Sequence, residues 1–187
     1  MPWSRPSTTR SSRTDVATDG PLLICYDGSD AAKAALDEAA RLFSGQAAVV
    51  ACYWQPLVAR PGRFGNVLGE VVEDAGDINR REKELAAAIA DEGVALARDA
   101  GLDAEGRSVE IDGPIEEAIL AHADELDAGA IVIGARSRSS LRSLLIGNVA
   151  NEVVQRATRP VFMTPSPQLA LRRGDELARD DDGAGAV

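Results

Sequence analysis

The sequence predicts an α/β fold, a parallel sheet with helices packed on both faces, and three observations lead there. Short apolar runs alternate with stretches of helical period through the whole packed region. Several runs close on turn-forming residues, as at Asp27-Gly28-Ser29 and Asp112-Gly113-Pro114. With 187 residues, 45% of them hydrophobic, the chain supports one core.

Leu22 to Tyr26 reads as the first strand, and Ser29 or Asp30 caps a helix over Ala31 to Phe43 that Gly45 closes. Ala47 to Trp54 is the second strand. The connection from Pro56 to Ala75 is long and broken by Pro and Gly; its Phe64, Val67, Leu68, Val71 and Val72 leave a packed short helix and an unstructured insert equally open. A second helix is expected over Asp77 to Ala100, with Ile78, Leu85, Ile89 and Leu96 as its apolar stripe and Gly101 as its stop. Ala104 to Ile111 is the third strand. The helix after Pro114 carries Glu116 and Glu117 in its first turn, where the macrodipole favours acids. Ala130 to Gly134, Gly147 to Ala157 and Pro160 to Pro165 complete the series as strand, helix and strand. Such alternation makes the sheet parallel, because each crossover helix returns the chain to the end of the sheet where the preceding strand began.

The ends differ in composition. Residues 1–20 are rich in Ser, Thr, Arg and Pro, without the apolar segment of a secretory signal, and are expected to form a disordered tail. Residues 168–187 are expected to be a second, acidic one, leaving 21–167 as the packed domain. No stretch approaches the ~20 apolar residues of a membrane span. A net charge of −10 argues against a general nucleic-acid binder and fits a cytoplasmic protein. Cys25 and Cys52, each inside an apolar run, read as reduced core thiols. His122, the single histidine, falls beside the apolar stripe of the third helix and reads as structural. Asp180 to Asp182 read as solvated charge, so no metal site is expected.

The functional signal lies between Gly134 and Asn148, where a buried strand passes through a small-residue loop into a helix N-terminus. Backbone N–H groups and the helix dipole receive an anion in that geometry, and a phosphate is the obvious one. Five arginines (Arg136, Arg138, Arg142, Arg156 and Arg159) face a single acid, Glu152, between Gly134 and Pro160. The loop is not a P-loop: that needs a lysine at its end, and the chain's only lysines are Lys33 and Lys83. Binding is therefore expected rather than turnover. Ligands of open parallel sheets sit beyond the carboxyl ends of the strands, at the point where strand order reverses. Asp27 and Gly134 end the first and fourth strands and should face each other across one cleft.

Asp27-Gly28-Ser29, Tyr53-Trp54-Gln55-Pro56, Asp112-Gly113-Pro114 and Arg159-Pro160-Val161, in that order around the long loop, resemble the universal stress protein family from Pro21 to about Pro165. The strongest match is the family's ATP-binding signature G-x2-G-x9-G-[ST], kept in spacing as Gly134-x2-Ser137-x9-Gly147-Asn148. Two positions depart from it, Ser137 for glycine and Asn148 for Ser/Thr. If position 137 needs a positive φ, serine costs ~1–2 kcal/mol there; its hydroxyl either crowds the phosphate or donates to it. The Asn148 amide can still donate or cap the helix. The resemblance implies a five-stranded sheet of order 3-2-1-4-5 and a homodimer through the last strand, Val161 to Thr164. It further implies ATP as ligand, with or without Mg2+. Asp27 would meet ribose or base, the backbone near Tyr53 the adenine, and Gly134, Gly147 and Asn148 the phosphates.

Three functions are compatible with this pattern. The leading one is a regulatory ATP-binding module in stress response, with no catalytic residues, at most slow hydrolysis and an unidentified protein partner. The second is a nucleotide-free interaction protein of the same fold. The third, an adenylating enzyme, ranks last: such enzymes resemble S-G-G-x-D-S after the first strand, and this chain has Asp27-Gly28-Ser29-Asp30.

Overall fold

The computed structural model describes residues 18–56, 71–135, 148–168 and 170–171. Nine elements follow in the order β1 (Leu22–Cys25), α1 (Asp30–Leu42), β2 (Ala47–Trp54), α2 (Val71–Asp99), β3 (Asp103–Glu110), α3 (Ile115–Glu125), β4 (Ala130–Ala135), α4 (Asn148–Arg156) and β5 (Val161–Pro165). The strands form one sheet of order β3-β2-β1-β4-β5, parallel at every pairing, as the resemblance implies. Order reverses between β1 and β4, where Cys25 pairs with Ile133.

The period-two alternation of the strands divides the core into two layers. Leu22 and Ile24 join Val50 and Val132 against α1 and α2, while Leu23 joins Val49, Ile131 and Ile133 against α3 and α4. Leu22, Leu23 and Ile24 are completely buried, each contributing about 1.5–3 kcal/mol. Phe43, just past α1, meets Phe162 of β5 edge-to-face at 4.8 Å and ties the edge strand to the first layer.

Ser29 caps α1, its Oγ accepting the Ala32 N–H at 3.2 Å. The buried side of α1 is almost all alanine, which lets the helix lie close to the sheet. Of the stripe expected on α2, Ile89 packs against the core, while the same principle corrects Leu85 and Leu96. Leu85 is 54% exposed and Leu96 36%, whereas Ala86, Ala90, Gly93, Val94 and Ala97 face the sheet. The reason is proximity: a Cβ at Gly93 would lie 2.7 Å from Val50 Cγ1 and 2.8 Å from Tyr26 Cδ1. A larger side chain at position 93 would not fit there, and Leu85 and Leu96 lie on the outer side of the helix. The α2 helix also begins at Val71, six residues before the expected Asp77, and residues 57–70 of the long connection lie outside the described residues.

Both entry and exit of the domain are tied down. The Gln46 Nε2 donates to the carbonyls of Thr18 (3.2 Å) and Gly20 (2.8 Å). Past β5, the Ser166 N–H donates to the Ala135 carbonyl at 3.1 Å and Gln168 Nε2 to Asp30 Oδ2 at 3.1 Å. Among the described residues no helix is long and apolar enough to cross a membrane.

Candidate functional site

Of the candidate residues, Asp27, Tyr53 and Gly134 lie at the carboxyl ends of β1, β2 and β4. Asp27 follows β1 directly, and its Oδ1 accepts the Ser29 N–H at 3.0 Å, closing an Asx turn. Gly28 takes φ +74° inside that turn, a conformation open to glycine at no cost. Asp27 is exposed, beyond the carboxyl end of β1 where strand order reverses, and it braces the start of α1.

On β2 the backbone, not the side chain, faces the end of β1. The Ala51 carbonyl accepts the Tyr26 N–H at 2.9 Å, whereas the Trp54 carbonyl accepts the Ile111 N–H on the β3 side, also at 2.9 Å. Alternation therefore turns the peptide N–H and C=O of Tyr53 toward β1, just where β1 gives way to the Asp27 turn. The Tyr53 side chain belongs to the core below α3. Its hydroxyl shares a 3.0 Å hydrogen bond with His122 Nδ1, and the rings meet edge-on with centroids 5.9 Å apart. Burial, with Cys25 and Glu125 adding to it, drives the phenol well above its ordinary range. Burial also pulls the His122 imidazole below its usual value, keeping the pair neutral at pH 7. The hydroxyl partner of His122 was not visible in sequence, since nothing marks residues 53 and 122 as neighbours.

Gly134 pairs with Thr164 of β5 and lies against the first turn of α1. A Cβ there would stand 2.4 Å from both the carbonyl carbon and oxygen of Ala31, and 2.7 Å from the Ala32 nitrogen. Packing alone demands glycine at this point. It also brings the start of α1 against the strand that leads into the 136–147 segment. That segment, with Ser137, Gly147 and three of the five arginines, lies outside the described residues. Asn148 is the first residue of α4, whose first turn contains no acid to offset its dipole.

The other two arginines are spent on structure. Arg159, only 17% exposed, donates to the Ala128 carbonyl and pairs with Asp124, while Arg156 pairs with Glu117 at 3.3 Å. The basic cluster counted in sequence thus loses two members to α3 and the turn after it. Both cysteines are free; burial pushes the Cys25 thiol up to about 12 and the Cys52 thiol upward as well, which makes them poor nucleophiles. No group of His, Cys, Asp and Glu among the described residues could hold a metal ion.

A sequence profile described as "Universal stress protein family" matches residues 20–165, more than three-quarters of the chain. The chain belongs to the universal stress protein family. The universal stress protein YxiE of Bacillus subtilis (strain 168) is 27% identical over 144 residues, covering 76% of this chain and 96% of YxiE. The solved universal stress protein of Archaeoglobus fulgidus is 28% identical, covers 77% of this chain and 97% of its own, and superposes with a TM-score of 0.57. An Archaeoglobus fulgidus universal stress protein in complex with dAMP is 23% identical, with coverages of 79% and 98% and a TM-score of 0.50; at that identity it speaks for the fold.

Proposed function

We propose that this universal stress protein is a regulatory module that binds an adenine nucleotide, ATP first among them, at the carboxyl ends of β1, β2 and β4. One observation carries the reading: the Asp27 turn, the Tyr53 peptide and the Gly134 exit converge where strand order reverses. The acid-free N-terminus of α4, entered through Asn148, suits the phosphates. The dAMP complex of a structurally similar universal stress protein supports an adenine ligand. In this reading Asp27 serves the ribose or base, the Tyr53 backbone the adenine edge, and Gly134, Ser137, Gly147 and Asn148 the phosphates, with or without Mg2+. The protein acts in the cytoplasm as a homodimer. Its β5 edge suits that role: it ends the sheet, and Val161, Phe162 and Met163 stay partly exposed on it. The regulatory output passes to a protein partner, and the site holds its ligand without turning it over.

Calorimetric titration of nucleotide-stripped protein with Mg-ATP tests this, with AMP and cyclic AMP as competitors and Gly147→Val as control. The expected result is saturable heat that the variant loses. A second reading, a nucleotide-free interaction protein, is favoured by Ser137 at a glycine position of the signature. It predicts no heat from the folded, empty wild type at several temperatures. Weak binding that tightens in Ser137→Gly would instead mark a degraded site.

A further inference from the structure

At the opposite end of the sheet, the amino ends of β2 and β3 border a groove of about 370 Å³. Pro21, Ala47 and Leu126 supply apolar lining, and Arg98, Asp103 and Glu105 bring charge. Arg98 is partly committed, its Nε–H donating to the Ala104 carbonyl at 2.9 Å, and Glu105 already pairs with Arg107 at 2.8 Å. Asp103 is exposed.

The chain enters the domain beside this groove. Gln46, the residue before β2, grips the carbonyls of Thr18 and Gly20, and Pro21 is itself part of the groove wall. Upstream lie 17 residues whose composition opposes that of the rest of the protein. They hold Arg5, Arg10 and Arg13 against one acid, Asp15, in a chain of net charge −10, together with Trp3, one of only two tryptophans. Trp3 lies fifteen positions before Thr18, a reach of up to roughly 50 Å when extended, so the whole groove is accessible to it. A chain anchored within a few ångströms of a groove also has a high effective concentration there, so modest contacts suffice.

We propose that the arm formed by residues 1–17 folds back into this groove, seating Trp3 on its apolar lining and its arginines beside Asp103 and Glu105. An amphipathic ring suits a half-open apolar groove, where its body is covered and its N–H stays wet. The arginines keep their charge at the rim and gain from the carboxylates, an attraction that salt weakens. The amino ends of the strands then serve as an intramolecular docking surface, separate from the cleft at their carboxyl ends.

Trp3 reports on itself. Subtracting the fluorescence of full-length Trp3→Phe from that of the full-length wild type isolates the Trp3 signal without touching Trp54. The expected result is a blue-shifted emission and acrylamide quenching several-fold weaker than in a synthetic peptide of residues 1–17, at every protein concentration. Arg10→Glu with Arg13→Glu, confined to the arm, should raise quenching toward the peptide value. Adding Asp103→Lys and Glu105→Lys should restore the protection. Trp3 quenched as readily in the wild type as in the peptide overturns the proposal. So does protection that disappears on dilution, which would assign the groove to the arm of a second copy.

Discussion

Gly134→Ala separates a glycine needed by the fold from one needed only by a ligand. The added methyl would stand 2.4 Å from the Ala31 carbonyl carbon and oxygen, about 1 Å inside the 3.4–4 Å of ordinary contact. Both atoms are backbone, so no rotamer relieves the overlap. Either β4 bows away from β1 and β5, which it pairs on both sides, or the first turn of α1 lifts off the sheet. Lifting α1 would strain the Ser29 cap and the alanine-lined contact beneath the helix. Overpacking costs roughly 1–3 kcal/mol, and a rigid backbone neighbour on each side puts this case near 3. For a domain of this size, about 2–4 °C per kcal/mol gives a fall in Tm of roughly 6–12 °C. Thermal unfolding followed by far-UV circular dichroism, without nucleotide, measures it, and urea unfolding should give a lower midpoint at unchanged slope. A loss under about 1 kcal/mol in the nucleotide-free protein would refute the packing argument and return Gly134 to a ligand-only role.

The remaining predictions test the core and the charge assignments. Gly93→Ala meets movable side chains, Val50 and Tyr26, and gains helix propensity, so it should destabilise by only about 1 kcal/mol in urea unfolding. Arg159→Ala should lower stability by about 1 kcal/mol and leave nucleotide affinity in calorimetry unchanged, because its guanidinium serves Asp124 and the Ala128 carbonyl. His122 titrates below its ordinary 6.5 in the folded state because burial disfavours the cation. In the window just below that value the unfolded chain binds the proton and the folded chain does not, so stability falls as pH drops through it. Unfolding midpoints measured from pH 7 to 5 should decline, and His122→Gln should decline less steeply.

Much of the fold was legible because the relevant signals are local. β2 runs over Ala47–Trp54 in sequence and structure alike, since a β-branched run fenced by Gly45 and Pro56 admits few alternatives. Gly45 and Gly101 were readable as stops, and both take positive φ. The error on α2 has the opposite character. Ile78, Leu85, Ile89 and Leu96 all satisfy helical spacing, and Ile89 does pack against the core, but Leu85 and Leu96 face outward. Spacing cannot report how near the helix lies to the sheet. That distance is set across layers, by Gly93 against Val50 and Tyr26, and it selects the alanine face over the leucine face. The arginine count failed for the same reason, because the partners of Arg156 and Arg159 lie on and just after α3, 31 to 39 positions away.

The candidate site shows why strand ends are hard to read from side-chain identity. At Tyr53 the hydroxyl is engaged by His122 on one sheet face while the peptide group turns in the sheet plane toward the end of β1. The two directions are nearly perpendicular, so the tyrosine reflects the needs of the α3 layer and carries no information about a ligand. Gly134 repeats the pattern, its missing side chain answering to Ala31 before any phosphate. A site built this way can keep its backbone geometry while its side chains change with the core. What it recognises then depends on where the strands end and the order in which they lie. For this chain that order, β3-β2-β1-β4-β5, puts the peptide of Tyr53, the turn of Asp27 and the exit of β4 side by side.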